Sequence, residues 1–270
     1  MTHSPQELRA LMERHGLAAR RALGQNFVVD PNTVRRIAGL AEISAGDPVV
    51  EIGPGLGSLT LALVELGADV TAVEMDRDLV PVLREVVEPH GVRVIEGDAR
   101  EVDWPVLLAA HDRWTLVANL PYNVATPLVL DLLRTVPQIT SMLVMVQREA
   151  GERLAATAGQ KAIGIPSILV AYHGVARVVA RVPATVFHPQ PKVESVLVRI
   201  TRHASPPVAE TLADIEPVLR TAYGQRRKML RRSLAEMVDA AGFAEAGVDP
   251  QARPETLDLA DWARLSRQRR

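Results

Sequence analysis

From residue 48 onward the chain alternates short, nearly continuous apolar runs with stretches whose apolar positions recur every three or four residues. The runs at Pro48–Ile52, 70–74, 92–96, 115–118 (ending at Asn119) and 142–147 predict strands, and 58–66, 79–87 and 127–133 predict the helices between them. Strands apolar on both faces, each followed by an amphipathic helix, predict a parallel sheet covered by helices. Further helices are predicted at 148–156 and about 167–173, and two last strands at 175–182 and 195–201. Upstream, 5–22 predicts a helix with Leu8, Leu11 and Met12 on one side, broken by Gly24-Gln25-Asn26-Phe27. Asp30-Pro31 then supplies a cap and a first-turn proline for a helix to about 41. His203-Ala204-Ser205-Pro206-Pro207 ends the strand pattern and predicts a linker, with helices after it at about 208–222, 226–241 and 256–268. The expected fold is α/β: a Rossmann-like sheet of seven strands, mostly parallel, flanked by helices over 1–203, followed by a small all-helical domain over 208–270.

The chain's 270 residues suit that division, and 47% apolar with 23% charged residues provides for a packed core. There is no cysteine, which excludes disulfides, thiolate metal sites, iron–sulfur clusters and cysteine nucleophiles. No apolar run is long enough to span a membrane. The first thirty residues carry Arg9, Arg14, Arg20 and Arg21 without an apolar run, so no secretory leader is expected. The expectation is a cytoplasmic monomer with no metal and no membrane attachment. Net charge is −1, but the charges are segregated. Between Glu42 and Asp103 stand fourteen acids and four arginines, whereas Arg220 to Arg232 holds six basic residues and no acid. An anionic partner would therefore meet the chain locally.

Val49-Val50-Glu51-Ile52-Gly53-Pro54-Gly55-Leu56-Gly57-Ser58 predicts a strand, a glycine turn and a helix start. Such a turn lets a ligand approach the backbone closely, although tight packing alone also produces it. The spacing is G-x-G-x-G, not the G-x-G-x-x-G of dinucleotide sites, and an acid, Glu51, precedes it. A carboxylate there suits a cationic amino-acid group better than a pyrophosphate, which points to S-adenosylmethionine (SAM). Glu74 ends the second strand, where a carboxylate can accept both ribose hydroxyls. Asp98 follows the third strand and can accept an adenine amino group, with the Ala99 backbone N–H available to the ring.

The fourth strand ends Asn119-Leu120-Pro121-Tyr122. In isolation this is also a plain strand-ending turn; after three cofactor-type strand ends it predicts a transfer site. The N6 lone pair of adenine is delocalised into the ring, so a methylating site must turn it toward the methyl group. Two acceptors on the N6 hydrogens achieve this, the Asn119 side-chain oxygen and a backbone carbonyl near Leu120. Pro121 stiffens the backbone, and Tyr122 offers a face to a base taken out of its stack. Phe187, in the proline-rich loop Phe187-His188-Pro189-Gln190-Pro191-Lys192, is either a second stacking face or a core plug.

With these motifs the chain resembles the KsgA (RsmA) family of small-subunit ribosomal RNA adenine N6,N6-dimethyltransferases. The resemblance is carried by LGQNFVVD at 23–30, VVEIGPGLGSLT at 49–60, VEMDRDL at 73–79, EGDA at 96–99, NLPYN at 119–123, MVQREAGERL at 145–154, VFHPQPKVESVLVRI at 186–200 and RRKMLRRSL at 226–234. It implies dimethylation of two adjacent adenosines in a hairpin loop near the 3′ end of small-subunit rRNA, late in subunit assembly. It further implies that Asn26 and Val28 reach the cofactor from the N-terminal segment, that Gly53, Glu74, Asp98 and Asn119 line its site, and that Phe187 packs on the target base opposite Tyr122. Residues 161–167 depart from the family's usual stretch, position 28 is Val where Leu is common, and the basic segment has Tyr223 and Met229 where Phe and Thr are common.

Arg220, Arg226, Arg227, Lys228, Arg231 and Arg232 are expected to grip RNA phosphates from one helix, in i,i+4 rows whose mutual repulsion an anionic partner would relieve. An ordinary solvated face is the alternative. The basic, glycine-hinged segment from Arg20 to Phe27 is expected to close over cofactor or RNA, or else to be a plain helix terminus. Three other readings compete with the small-subunit enzyme. A large-subunit rRNA adenine methylase of the antibiotic-resistance kind shares the fold and motif logic. A non-catalytic assembly factor would keep the fold alone. A DNA adenine methylase would more typically carry Asp/Asn-Pro-Pro-Tyr.

Overall fold

The computed structural model describes residues 2–20 and 23–270. Helix α1 (Pro5–Arg14) starts in a capping box, Ser4 accepting from the Glu7 backbone and Glu7 from that of Ser4. It ends at Arg14 rather than at 22, because Gly16 takes a left-handed conformation (φ 62°) just past the His15 cap. Strand β1 (Phe27–Val28) follows, then α2 (Pro31–Gly39), capped by the Asp30 side chain on Thr33 N as the sequence implied.

The alternation then proceeds: β2 (Pro48–Ile52), α3 (Ser58–Glu65), β3 (Asp69–Glu74), α4 (Val80–Val87), β4 (Arg93–Glu96), a one-turn α5 (Trp104–Leu107), β5 (Trp114–Asn119), α6 (Ala125–Thr135), β6 (Ile139–Gln147), α7 (Arg148–Leu154), α8 (Ile165–His173) and β7 (Gly174–Val182). Two strands remain, β8 (Phe187–His188) and β9 (Ser195–Arg202). Seven strands form one sheet in the order β4-β3-β2-β5-β6-β9-β7. The pairs from β4 through β6 are parallel, and β9 runs antiparallel to β6. This is the Rossmann-like sheet expected. β1 and β8 pair with each other, Phe27 opposite His188 and Val28 opposite Phe187. The chain moves outward from β2 through β3 to β4, then returns to place β5 on the other side of β2. The loops leaving the carboxyl ends of β2 and β5 therefore diverge, and a crevice opens at that switch point.

The chain divides into two compact units, one of residues up to Gly151 with Arg177–Thr201, the other of Glu152–Ala176 with Arg202–Arg270. The sequence-based division at 203/208 leaves 152–176 with the sheet. Those residues cluster with the C-terminal helices because Ala156, Ile163 and Ile168 share an apolar core with Leu219, Phe243 and Trp262. The second unit's later helices are α9 (Leu212–Gly224), α10 (Leu230–Ser233), α11 (Ala240–Ala246) and α12 (Leu259–Arg267). The helix expected over 226–241 is thus a turn, a single helical turn and a fresh start. The N–H groups of Leu230 and Arg231 bond to the carbonyls of Ala252 and Pro250 rather than to a preceding helical turn, and Asp239 caps a new helix at 240. Among the described residues no helix is long and apolar enough to cross a membrane.

Candidate cofactor cleft and transfer motif

The crevice at the β2/β5 switch point is a cavity of ≈ 280 Å³. That lies near the lower end for small-molecule sites and is far larger than a metal ion needs. Gly53, Gly55, Glu74, Asp98, Ala99, Asn119, Leu120 and Pro121, together with Asn26 and Val28, all line it. Four successive strand ends and the N-terminal segment thus converge. Gly53 and Gly55 carry φ of 69° and 59°, which favours glycine. A Cβ on Gly55 would sit 2.8 Å from the Phe27 ring, so this glycine lets the N-terminal segment close on the loop.

The cavity floor is acidic. Glu51, 1% exposed in β2, has an Oε2 with no hydrogen-bond partner. Burial, with the like charge of Glu74 adding, pushes its carboxyl up to about 8. Glu74, also buried, accepts from Gly55 N (3.0 Å) and Asp76 N (2.9 Å). Burial raises its pKa too, opposed by those two backbone bonds. One carboxylate therefore ties the glycine loop to the tip of β3. Asp98 is held below the usual carboxylate range, chiefly by the Arg100 guanidinium that grips both its oxygens. The Ala99 carbonyl accepts from the buried Trp104 indole at 3.0 Å, which fixes the backbone beside Asp98.

At the tip of β5 the Asn119 amide donates through Nδ2 to the Asn26 carbonyl, 2.9 Å away. With the nitrogen so committed, the amide oxygen is left as the acceptor. Leu120 N bonds to the Met145 carbonyl (3.2 Å) and holds the motif onto β6. Of the residues expected at the cofactor and transfer site, Tyr122 and Phe187 do not line the cavity. Tyr122 is half-buried, its hydroxyl 2.8 Å from Ser195 Oγ. Phe187 is 4% exposed and packs in the sheet's apolar core with Ala180, Val182 and Val28. Its cross-strand partner is Val28, itself a residue of the cavity wall, so Phe187 lies just behind that wall.

The N-terminal segment is laced to the sheet. Arg20 pairs with Asp76 (2.9 Å) and with Asp78, and Gln25 Nε2 donates to Asp76 at 2.7 Å. Arg21 and Ala22 lie outside the described residues. In the second unit the six basic residues divide. Arg220 pairs with Glu216 (2.8 Å) and Arg226 with Glu255 (3.5 Å). Arg227, Lys228, Arg231 and Arg232 are exposed and make no ion pair with a described residue. Of these four, only Arg231 and Arg232 stand on a helix, so the expected i,i+4 rows do not form.

A family model for ribosomal RNA adenine dimethylases matches residues 16–268. The chain belongs to that family. Membership makes it an rRNA adenine methyltransferase that uses SAM. Among curated relatives, the ribosomal RNA small subunit methyltransferase A of Thermobifida fusca is 44% identical and covers 98% of this chain and 96% of its own length. That of Leifsonia xyli is 46% identical over 97% of this chain and 96% of its own. Among solved structures, the 23S rRNA methyltransferase ErmE is similar at a TM-score of 0.71 and 25% identity, covering 90% of this chain and 98% of its own.

Four residues at or beside the cleft escape a reading of the sequence alone: Gln25, Asp76, Arg100 and Ser195. Arg100 was findable, two positions from Asp98. The partners of the others are separated by 51 residues for Gln25–Asp76 and 73 for Tyr122–Ser195, and no local pattern signals them.

Proposed function

We propose that this chain dimethylates N6 of two adjacent adenosines in a hairpin loop near the 3′ end of small-subunit rRNA, acting in the cytoplasm as a monomer on a late pre-30S particle. The observation that carries the reading is the convergence on one cavity of Glu51, a buried acid with one unpartnered oxygen, with Glu74, Asp98 and Asn119. These residues suit SAM. Glu51 Oε2 lacks the counter-charge that an ammonium group supplies, Glu74 retains acceptor capacity for ribose hydroxyls, and Asp98 with the Ala99 N–H suits an adenine edge. Bound there, SAM supplies an electrophilic methyl group on a sulfonium.

The remaining work falls to the protein. The Asn119 amide oxygen and the Leu120 carbonyl accept the two N6 hydrogens and turn the lone pair toward the methyl group. Pro121 keeps that backbone rigid, and Tyr122 gives the extruded base a face. No strong base is required, since N6 sheds its proton once the bond has formed. Arg227, Lys228, Arg231 and Arg232 supply phosphate contacts, with Arg220 and Arg226 contributing only if released from Glu216 and Glu255. The small-subunit substrate is favoured over the large-subunit one by the curated relatives' names and by the intact stretches at 186–200 and 226–234.

The test is transfer of labelled methyl from SAM into undermethylated small subunits. We expect N6,N6-dimethyladenosine at two adjacent positions. Asn119→Ala and Glu74→Ala should each lose turnover, and Glu74→Ala should weaken cofactor binding as well. Incorporation into large subunits alone would replace this substrate with the other; no incorporation at any protein excess would favour a scaffold.

A further inference from the structure

Tyr122 is the one aromatic the transfer motif offers, and a ring that is free to swing orients a base poorly. The structure shows what holds it. Tyr122 follows the tip of β5, and Ser195 opens β9, two strands away across β6. In register, Asn119 pairs with Met145, and Ser195 pairs with Gln147 farther along the same strand. The tyrosine therefore reaches over the end of β6, and its hydroxyl meets Ser195 Oγ at 2.8 Å. Ser195 is 0% exposed, so its hydroxyl is committed inside the protein and not to water. Its neighbours Val196, Leu197 and Val198 are all buried strand residues, which leaves the serine little freedom to move.

We propose that Ser195 is a positioning residue for methyl transfer: it pins the Tyr122 hydroxyl and thereby sets the plane on which the target adenine stacks. The inference rests on the reading of Tyr122 as the stacking face. Its consequence is larger for the second methyl than for the first. Before the first transfer, N6 presents two hydrogens to the acceptors at Asn119 and Leu120. Afterwards one hydrogen remains, so one acceptor goes unused and base orientation leans more on the ring. Releasing Tyr122 should thus lower the second rate more than the first, and N6-monomethyladenosine should accumulate.

Ser195→Ala and Tyr122→Phe each remove the bond from one end, and Tyr122→Phe does so without altering the buried strand. With undermethylated small subunits, each should lower kcat roughly three- to ten-fold, the range expected for one lost hydrogen bond, with KM for both substrates unchanged. Mass spectrometry of nuclease digests should show a raised ratio of mono- to dimethyladenosine. The double variant should be no worse than either single one. Wild-type kcat and product ratio in Ser195→Ala, or strictly additive losses in the double variant, would overturn the proposal. Tyr122→Ala separates this from the underlying reading: if it too turns over and dimethylates normally, Tyr122 is not the stacking face, and that reading fails first.

Discussion

Glu51 sits between apolar strand neighbours with one carboxylate oxygen unpartnered, so burial holds its pKa near 8. Two consequences of opposite sign follow. The unfolded chain sheds this proton near the ordinary 4.5 and the folded one only near 8, so the group's contribution to stability falls as pH rises through that window. A cationic ligand group beside Oε2 favours the carboxylate and lowers the folded pKa. SAM binding should therefore release a proton, and affinity should rise with pH up to about 8 and flatten above it. Calorimetry in buffers of different ionisation enthalpy measures the proton, and Glu51→Gln should remove it along with that part of the pH dependence. Parallel profiles for the two proteins would mean the cation binds elsewhere. Glu51, Gly53, Glu74, Asp98 and Asn119 were legible in the sequence because each sits at or near a strand end beside a turn residue, where an α/β fold must put its ligand. Phe187 was ambiguous for a physical reason. A lone aromatic in a proline-rich loop looks the same whether it stacks on a base or plugs a core, and its strand partner, Val28, lies far upstream in sequence, on the cleft wall, signalled by no local pattern.

The strands of the main sheet were readable because an apolar run bounded by turn residues has few other uses. The helices expected at 5–22 and 226–241 were overlong, because apolar periodicity continues past points where a left-handed Gly16 or a backbone bond to the 249–252 loop ends the helix. The two-residue strands β1 and β8 have no period to detect, yet they bring Val28 to the cleft wall. The segment between α1 and β1 works as a strap held at three points: Arg20 and Gln25 on Asp76, and the Asn26 carbonyl on Asn119. The Asp76 end is the stronger, since its carboxylate is buried and takes a charge-assisted bond. Removing it with Asp76→Ala should loosen the strap while leaving the cavity floor intact. Stopped-flow displacement of bound SAM should then show dissociation faster by roughly ten-fold or more, with little change in association, since the bonds from both Arg20 and Gln25 are lost while Arg20 keeps Asp78. An unchanged dissociation rate would make the strap a fixed wall rather than a cover.

Over the whole chain a net charge of −1 conceals a division of labour. The acids gather at β2 to β4, where Glu51, Glu74 and Asp98 face the cleft that suits a cationic cofactor. The bases gather at 220–232, in the other compact unit, where a polyanion would find them. The structure divides that basic run by electrostatic state. Arg220 and Arg226 are already neutralised by Glu216 and Glu255, and drawing them to phosphate means breaking those pairs. Arg227, Lys228, Arg231 and Arg232 are exposed without such partners, so binding phosphate breaks no ion pair of theirs. Reversing Arg227 and Arg231 to Glu should therefore weaken small-subunit binding steeply, whereas Arg220→Ala should change it little. The slope of log K against log salt should shrink by about 0.7–0.9 for each phosphate no longer neutralised. Filter binding across a salt series separates this from a merely solvated face, for which the double reversal leaves both affinity and slope where they were. Turnover at saturating substrate should survive it, because no member of the basic run lines the candidate cleft.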